Sequence, residues 1–116
     1  MTPRSLLRLE GLVLFAAATG AYFARGGSLV LFVLVFLVPD LSMIGYAVDE
    51  RWGSRVYNAG HTYLLPGLLL GAGLLLPASL AVSLALVWFA HVGGDRVLGY
   101  GLKYETGFGD THLSRA

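Results

Sequence analysis

Four apolar stretches, separated by short polar or glycine-rich breaks, make up most of the chain. They run over residues 6–24, 28–48, 56–76 and 78–98, and each is close to the roughly 20 residues that a helix needs to cross a bilayer. Arg25-Gly26-Gly27 and Pro77 mark two tight reversals, and residues 49–55 form the most strongly charged loop. The pattern predicts an all-α integral membrane protein: a four-transmembrane-helix bundle, one domain over residues 1–116, with a short cytoplasmic tail over residues 99–116.

Composition supports a membrane protein. Hydrophobic residues account for 56% of the 116 positions and charged residues for 13%, about half the usual charged fraction of a soluble domain. The absence of cysteine excludes disulfides and thiolate metal sites. A net charge of +1 argues against a nucleic-acid partner. Because most of the chain is apolar, membrane lipids are the expected partners.

The basic residues predict the orientation. With four spans, the two termini and the loop 49–55 share one side, which then holds Arg4, Arg8, Arg51, Arg55, Arg96, Lys103 and Arg115. The other side holds Arg25 alone. Because positive charge concentrates on the cytoplasmic side, we expect both termini to be cytoplasmic. Glu10 within the first apolar stretch indicates an uncleaved span rather than a signal peptide.

Polar side chains inside the apolar stretches all fall in the cytoplasmic half of the predicted bundle. They are Glu10, Asp40, Asn58, His61, His91 and Asp95. Ionisable groups at membrane depth are costly, so they usually face the interior of a bundle and mark a site. Taken singly, each is also explained as a packed or surface-marking residue; together they indicate a polar site open to the cytoplasm.

The spacing of these residues suggests metal or acid–base chemistry. His91 and Asp95 are four residues apart, so they share one helix face. A proline precedes Asp40 and interrupts the helix where a carboxylate is needed. Asp40, His61, His91 and Asp95 are therefore the predicted metal ligands, a nitrogen and oxygen set suited to zinc, iron or manganese. Glu10 and Asp95 are the candidate catalytic groups, with Glu10 as general base or as a partner of a ligand.

Three further residues are predicted to bind a ligand or substrate. Asn58 shares a face with His61, and Asp110 and His112 lie in the glycine-rich tail, which would fold under the bundle as a lid. The alternative is a tail that is disordered or lies at the membrane interface. Gly67 and Gly71 form a GxxxG face, which predicts close helix packing within the bundle or in a homo-oligomer.

Several motifs in order resemble one bacterial membrane family. They are Pro39-Asp40-Leu41-Ser42-Met43, Tyr57-Asn58-Ala59-Gly60-His61-Thr62-Tyr63, His91-Val92-Gly93-Gly94-Asp95-Arg96, Gly99-Tyr100-Gly101-Leu102-Lys103-Tyr104 and Gly107-Phe108-Gly109-Asp110-Thr111-His112-Leu113. The chain resembles the family catalogued as domain of unknown function 4260 over nearly its whole length. The resemblance implies a small multi-helix protein of the bacterial inner membrane and brings no activity with it.

Three functions stay open on the sequence. The leading hypothesis is a metal-dependent hydrolase of a lipid or other amphipathic substrate, with a bound water as nucleophile. The second is a non-enzymatic small-molecule binder or proton-coupled transporter that uses the same residues as a proton relay. The third is a haem protein with His61 and His91 as the two axial ligands.

Overall fold

The fold is all-helical, with six α-helices and one 3-10 helix. The computed structural model describes residues 1–116. The elements are α1 Pro3–Ala24, α2 Leu29–Phe36, the 3-10 helix Val38–Ala47, α3 Glu50–His61, α4 Leu64–Leu75, α5 Ser79–Leu98 and α6 His112–Arg115.

Three helical stretches are long and apolar enough to cross a membrane, not clearly the four that the hydropathy pattern predicts. They are Pro3–Ala24, Leu29–Ala47 and Ser79–Leu98. The third apolar stretch, residues 56–76, is instead divided between α3 and α4, each 12 residues long. The segment 49–55, predicted as a loop, is mostly the start of α3, which Asp49 caps through its bond to the Trp52 amide.

Proline explains both interruptions of helical backbone. In a continuous helix, the ring of Pro66 would collide with the carbonyl of Thr62, and no N–H would be there to bond it. Thr62 is extended instead, with φ −95° and ψ 157°, and α4 begins two residues later. Pro39 has the same effect on α2, which ends at Phe36 and continues as the 3-10 helix. Both breaks come next to a predicted ligand, His61 in one case and Asp40 in the other.

Helix α5 forms the centre of the fold and packs against α1, α2 and α4. Its contact with α1 is close because both sides carry glycine. A Cβ on Gly11 would lie 2.4 Å from the Cβ of Arg96, and a Cβ on Gly93 would lie 2.7 Å from the Gly11 carbonyl oxygen. Towards the other end, Ala18 and Tyr22 of α1 join a buried apolar cluster with α5 residues. The face of α5 that carries His91 is thereby fixed towards the interior.

The outer surface is strongly apolar. Helix α2 has no buried residue, and Leu29, Val30 and Leu34 are each more than 60% exposed. Such a continuous apolar surface is unusual for a soluble monomer and marks a membrane or partner contact. With the three long apolar helices, it suggests a membrane protein.

The tail is folded onto the rest of the protein and brings the two chain ends together. Arg4 donates to the carbonyls of Leu113 and Ser114, at 3.1 and 2.7 Å. The side chain of Asn58 donates to the Lys103 carbonyl at 2.8 Å and accepts from its amide at 2.6 Å. Helix α3 and the tail therefore form a polar layer against one end of the apolar helices.

Candidate metal centre

Four predicted ligands converge in one compact cluster. The Nε2 atoms of His61 and His91 are 3.2 Å apart, and each lies 3.1 Å from Oδ1 of Asp40. Oδ2 of Asp95 is 3.4 Å from His61 Nε2 and 3.3 Å from His91 Nε2. No two of the four ligand atoms are more than 4.8 Å apart. Metal–ligand bonds of about 2.0–2.1 Å give tetrahedral ligand separations of about 3.3–3.4 Å, close to the five separations of 3.1–3.4 Å that involve a histidine nitrogen.

Each ligand is placed by a local feature of the sequence. Asp40 lies in the first turn of the 3-10 helix, directly after the proline that ends α2. His61 is the last residue of α3, at the second helix break. His91 and Asp95 are one turn apart on α5, so their side chains reach the same point. Two interrupted helices and one continuous helix thus supply the cluster.

The tautomer of His61 is set by its own helix. Its Nδ1 lies 2.9 Å from the carbonyl oxygen of Tyr57, which can only accept a hydrogen bond. Nδ1 must therefore carry the proton, and Nε2 of the neutral ring presents a lone pair to the cluster. Ser42 Oγ lies 3.3 Å from the same Nδ1 and donates to the Pro39 carbonyl at 2.6 Å. A ring nitrogen held in this way by a carbonyl is characteristic of histidines that bind metal through the other nitrogen.

The two histidines are enclosed, whereas one carboxylate faces outwards. His61 and His91 are 0% and 2% exposed, and the side chain of Asp40 is 43% exposed. Tyr57 stacks on His61 with ring centroids 3.8 Å apart and planes 4° from parallel. Phe36 packs against His91, whose Nδ1 is buried without a hydrogen bond. The cluster is therefore enclosed around its two histidine nitrogens and open on the Asp40 side.

An apolar groove begins beside this open side. It encloses about 280 Å³ between α2, the 3-10 helix, α4 and α5. Pro39, next to Asp40, and Trp88, one turn before His91, both line it. Trp88 is fixed by its indole N–H, which donates to the Gly60 carbonyl at 2.7 Å. A chain lying in this groove would have one end close to the cluster.

Asn58 and the predicted tail residues lie outside the cluster. Asn58 holds the backbone of Lys103. Asp110 pairs with Arg115 at the surface, and hydrogen bonds from Arg115 and Thr106 lower the pKa of Asp110 to about 2. His112 accepts the Leu102 amide through Nδ1 at 2.8 Å. The tail contacts the ring of Tyr57, which stacks on His61 and lies under Lys103 and against Phe108.

Glu10 lies outside the cluster and faces a different cavity. It lines a space shared with Arg96, Tyr63 and His112, and it forms no ion pair.

Burial of Lys103 and His112 lowers the pKa of both side chains, and the nearby Arg96 lowers the pKa of His112 further.

The GxxxG residues do not make the close contact within the chain. A Cβ on Gly67 would meet only Phe89, at 3.9 Å, and one on Gly71 would meet nothing within 4 Å. That tight helix contact is made by Gly11 and Gly93 instead. A contact between copies through Gly67 and Gly71 stays a prediction.

Ser42 and Arg96 have roles that the sequence interpretation did not assign. Ser42 contacts Nδ1 of His61. Arg96, only 4% exposed, donates to the carbonyls of His61 and Tyr100 at 2.7 and 2.9 Å. For Arg96, the signal in the sequence was an arginine directly after the predicted ligand Asp95 in an apolar helix. For Ser42 the signal was weaker, a hydroxyl two residues after Asp40.

Comparison with known proteins gives a family and no function. A family model described as "Domain of unknown function (DUF4260)" matches residues 4–116. No curated protein matches the chain. No solved structure matches it either.

Proposed function

The chain belongs to the family of domain of unknown function 4260. The family description gives no activity, so we infer the function of the chain from its site. We propose that it is an integral membrane protein that holds one divalent metal ion between Asp40, His61, His91 and Asp95. The observation that carries the proposal is the His61 tautomer. Its bare Nε2 faces two carboxylate oxygens and another imidazole nitrogen at 3.1–3.4 Å.

The balance of charge in the cluster favours a cation. Ionised carboxylates only accept hydrogen bonds, and the one proton of neutral His61 is already donated to Tyr57. One N–H from His91 cannot satisfy the facing lone pairs of both carboxylates and His61. A divalent cation would neutralise both carboxylates and bind both imidazoles at once.

The donor set narrows the choice of metal. Two imidazole nitrogens and two carboxylate oxygens suit zinc, iron or manganese. Axial haem ligation is not supported by the geometry. With iron–nitrogen bonds of about 2.0 Å, two axial nitrogens lie about 4 Å apart across the macrocycle, whereas the two Nε2 atoms are 3.2 Å apart with carboxylates beside them.

Hydrolysis of an amphipathic substrate is the activity that the surroundings favour. When bound, a divalent metal lowers the pKa of a coordinated water towards 7 and makes it a nucleophile at neutral pH. The open side at Asp40 leaves room for water and a scissile group, and the apolar groove past Pro39 and Trp88 suits an acyl chain. The side chain of Asp95 is only 16% exposed. Of the two carboxylates it is therefore better placed than Asp40 to stay bound to the metal throughout the reaction.

For the membrane arrangement we propose four crossings, the third made by α3 and α4 in succession. Arg4 contacts the last residues of the chain, so both termini lie on one side. Arg25 bonds Ser79 at the opposite end of the bundle. An interrupted crossing is tolerated where its broken backbone is buried in protein and lines a site. The basic residues on the side of the termini support a cytoplasmic location for both.

Metal analysis of detergent-purified protein tests the proposal. We expect close to one equivalent of zinc, iron or manganese in protein purified without chelators. His91→Ala and Asp95→Asn should lose it, whereas the matched variants His112→Ala and Asp110→Asn should keep it, because His112 and Asp110 lie outside the cluster. Folded wild-type protein that neither contains nor takes up any of these metals would refute the metal site. A proton relay through the same residues would then be the better account.

A further inference from the structure

A second polar cavity lies on the other side of His61 from the metal cluster. It encloses about 270 Å³ between α1, the α3–α4 junction, the end of α5 and the tail. Its polar lining residues are Glu10, Thr62, Tyr63, Arg96 and His112. The His61 carbonyl, which accepts from Arg96, connects the two sites.

Arg96 gives this cavity a buried positive charge that forms no ion pair, although the Glu10 carboxylate lines the same cavity. Its guanidinium uses two of five N–H groups on backbone carbonyls, and no carboxylate lies within 4.0 Å. The ring of Tyr63 lies 5.7 Å away. Burying a charge is costly unless it is paired, and carbonyl dipoles neutralise none of its net charge. The cavity is therefore suited to an anion.

His112 adds a second donor of fixed tautomer. Its Nδ1 accepts the Leu102 amide at 2.8 Å, so the ring proton of neutral His112 is on Nε2. Thr62 and Tyr63, which both carry a hydroxyl group, line the same cavity. An anionic oxygen group could thus receive hydrogen bonds from a guanidinium, an imidazole and hydroxyls, the chemistry that recognises phosphate.

An apolar groove continues from this cavity along α1. It encloses about 390 Å³, is lined by Leu6, Leu9, Val13 and Leu14, and shares Glu10 and Tyr63 with the polar cavity. The two spaces together have an apolar length and a polar end that carries the Arg96 guanidinium, with the Glu10 carboxylate at their junction. A molecule in which an acyl chain is joined to a phosphate group has the same arrangement.

We propose that this cavity and groove bind one membrane phospholipid, with its phosphate on Arg96 and His112 and one acyl chain along α1. Charge complementarity at Arg96 and the continuity of the groove with the cavity identify the occupant. Glu10 at the junction of the two spaces lies where the head group begins, so it is expected to influence head-group preference. This site is separate from the metal cluster and does not depend on metal.

Lipid binding by the full-length protein, measured by native mass spectrometry from detergent, tests the proposal. The probes are phosphatidic acid, the diacylglycerol with the same chains, and inorganic phosphate. We expect phosphatidic acid to bind one to one, and diacylglycerol to bind at least tenfold more weakly because it lacks the phosphate. Inorganic phosphate should not displace the lipid at equal concentration. Equal binding of diacylglycerol, or displacement by equal phosphate, would overturn the lipid assignment.

Two pairs of variants locate the bound lipid. Arg96→Gln should weaken phosphatidic acid binding about tenfold to hundredfold through loss of charged hydrogen bonds. Arg8→Gln is its control, because Arg8 also bonds an α5 carbonyl, that of Val97, but lies outside the cavity. Val13→Trp should block the groove, whereas Val30→Trp on α2 should not.

Val13 and Val30 are 62% and 69% exposed, so neither tryptophan disturbs the core. The groove test therefore holds even if Arg96→Gln fails to fold. Wild-type lipid binding by Val13→Trp, or an equal loss in both members of either pair, would overturn the proposal. Because metal content is measured on the same samples, failure of the lipid site is distinguishable from failure of the metal site.

Discussion

Replacing Gly60 with alanine tests whether the close approach of α3 to the 3-10 helix holds the ligand atoms together. A Cβ at this position would lie 2.8 Å from Ser42 Oγ, 3.0 Å from Ser42 Cβ and 3.2 Å from the Pro39 carbonyl oxygen. Ordinary contacts begin near 3.4 Å. The two elements must therefore separate locally by roughly 0.2–0.6 Å. Because Pro39 and Gly60 immediately precede Asp40 and His61, this separation falls on a ligand pair.

The size of the effect follows from the cost of overpacking. Inserting a methyl group into a tight contact costs about 1–3 kcal/mol. If the metal site bears this cost, the affinity for zinc falls about 5- to 150-fold. The measurement is a competition titration with a chromophoric chelator in detergent, beside thermal unfolding of the metal-free protein.

Gly71→Ala is the matched control. Gly71 lies inside α4, where a Cβ would meet no atom within 4 Å. This change should leave zinc affinity unaltered and stabilise the helix by up to about 1 kcal/mol. Adding Ser42→Gly to Gly60→Ala removes the atoms at 2.8 and 3.0 Å, so the pair should recover part of the lost affinity. Wild-type zinc affinity in Gly60→Ala would refute this account of how the ligands are held.

Three further predictions concern the tail and the topology. Asn58→Ala should release the tail and cost about 1–3 kcal/mol of stability, because the Lys103 amide and carbonyl lose their partner; hydrogen exchange of the tail measures this, and unchanged protection would contradict it. The pKa of Asp110 is lowered to about 2 by Arg115. The stability that this ion pair gives the tail is therefore fully present above the unfolded-state pKa near 3.8, and it is lost as the pH falls towards 2. The protection of the tail amides, corrected for the intrinsic exchange rate at each pH, should therefore fall only below about pH 4, and Asp110→Asn should remove that dependence. The chain has no cysteine, so single added cysteines report topology. A cysteine at either terminus should react with an impermeant reagent from one side of the membrane, and Ala78→Cys should react from the other side. Labelling of the two termini from opposite sides would exclude four crossings.

The sequence was sufficient to group Asp40, His61, His91 and Asp95, because ionisable residues are conspicuous in apolar helices. It grouped Glu10 with these residues, whereas Glu10 faces a different cavity. Depth follows from position along the chain, whereas the direction that a side chain faces depends on packing. Contact of Gly11 with α5 turns the neighbouring Glu10 towards the cavity with Tyr63 rather than towards the metal cluster.

Hydropathy also failed to show the interruption of the third stretch. Residues 56–76 are apolar enough on average to pass as one span, although Asn58 and His61 precede Thr62 and eight leucines follow it. Pro66 carried the information, since its ring cannot follow a helical Thr62. A proline four residues after a polar residue in an apolar stretch thus predicts a break better than hydropathy does.

Helix α5 carries two of the four proposed ligands and is the last long helix to be synthesised. While the ribosome is still making it, Asp40 and His61 form only half a ligand set, too few to retain a metal ion against cellular chelators. Metal would therefore be acquired only after α5 has been made. From then on one ion would link residues 40 to 95, and its removal would loosen three segments together.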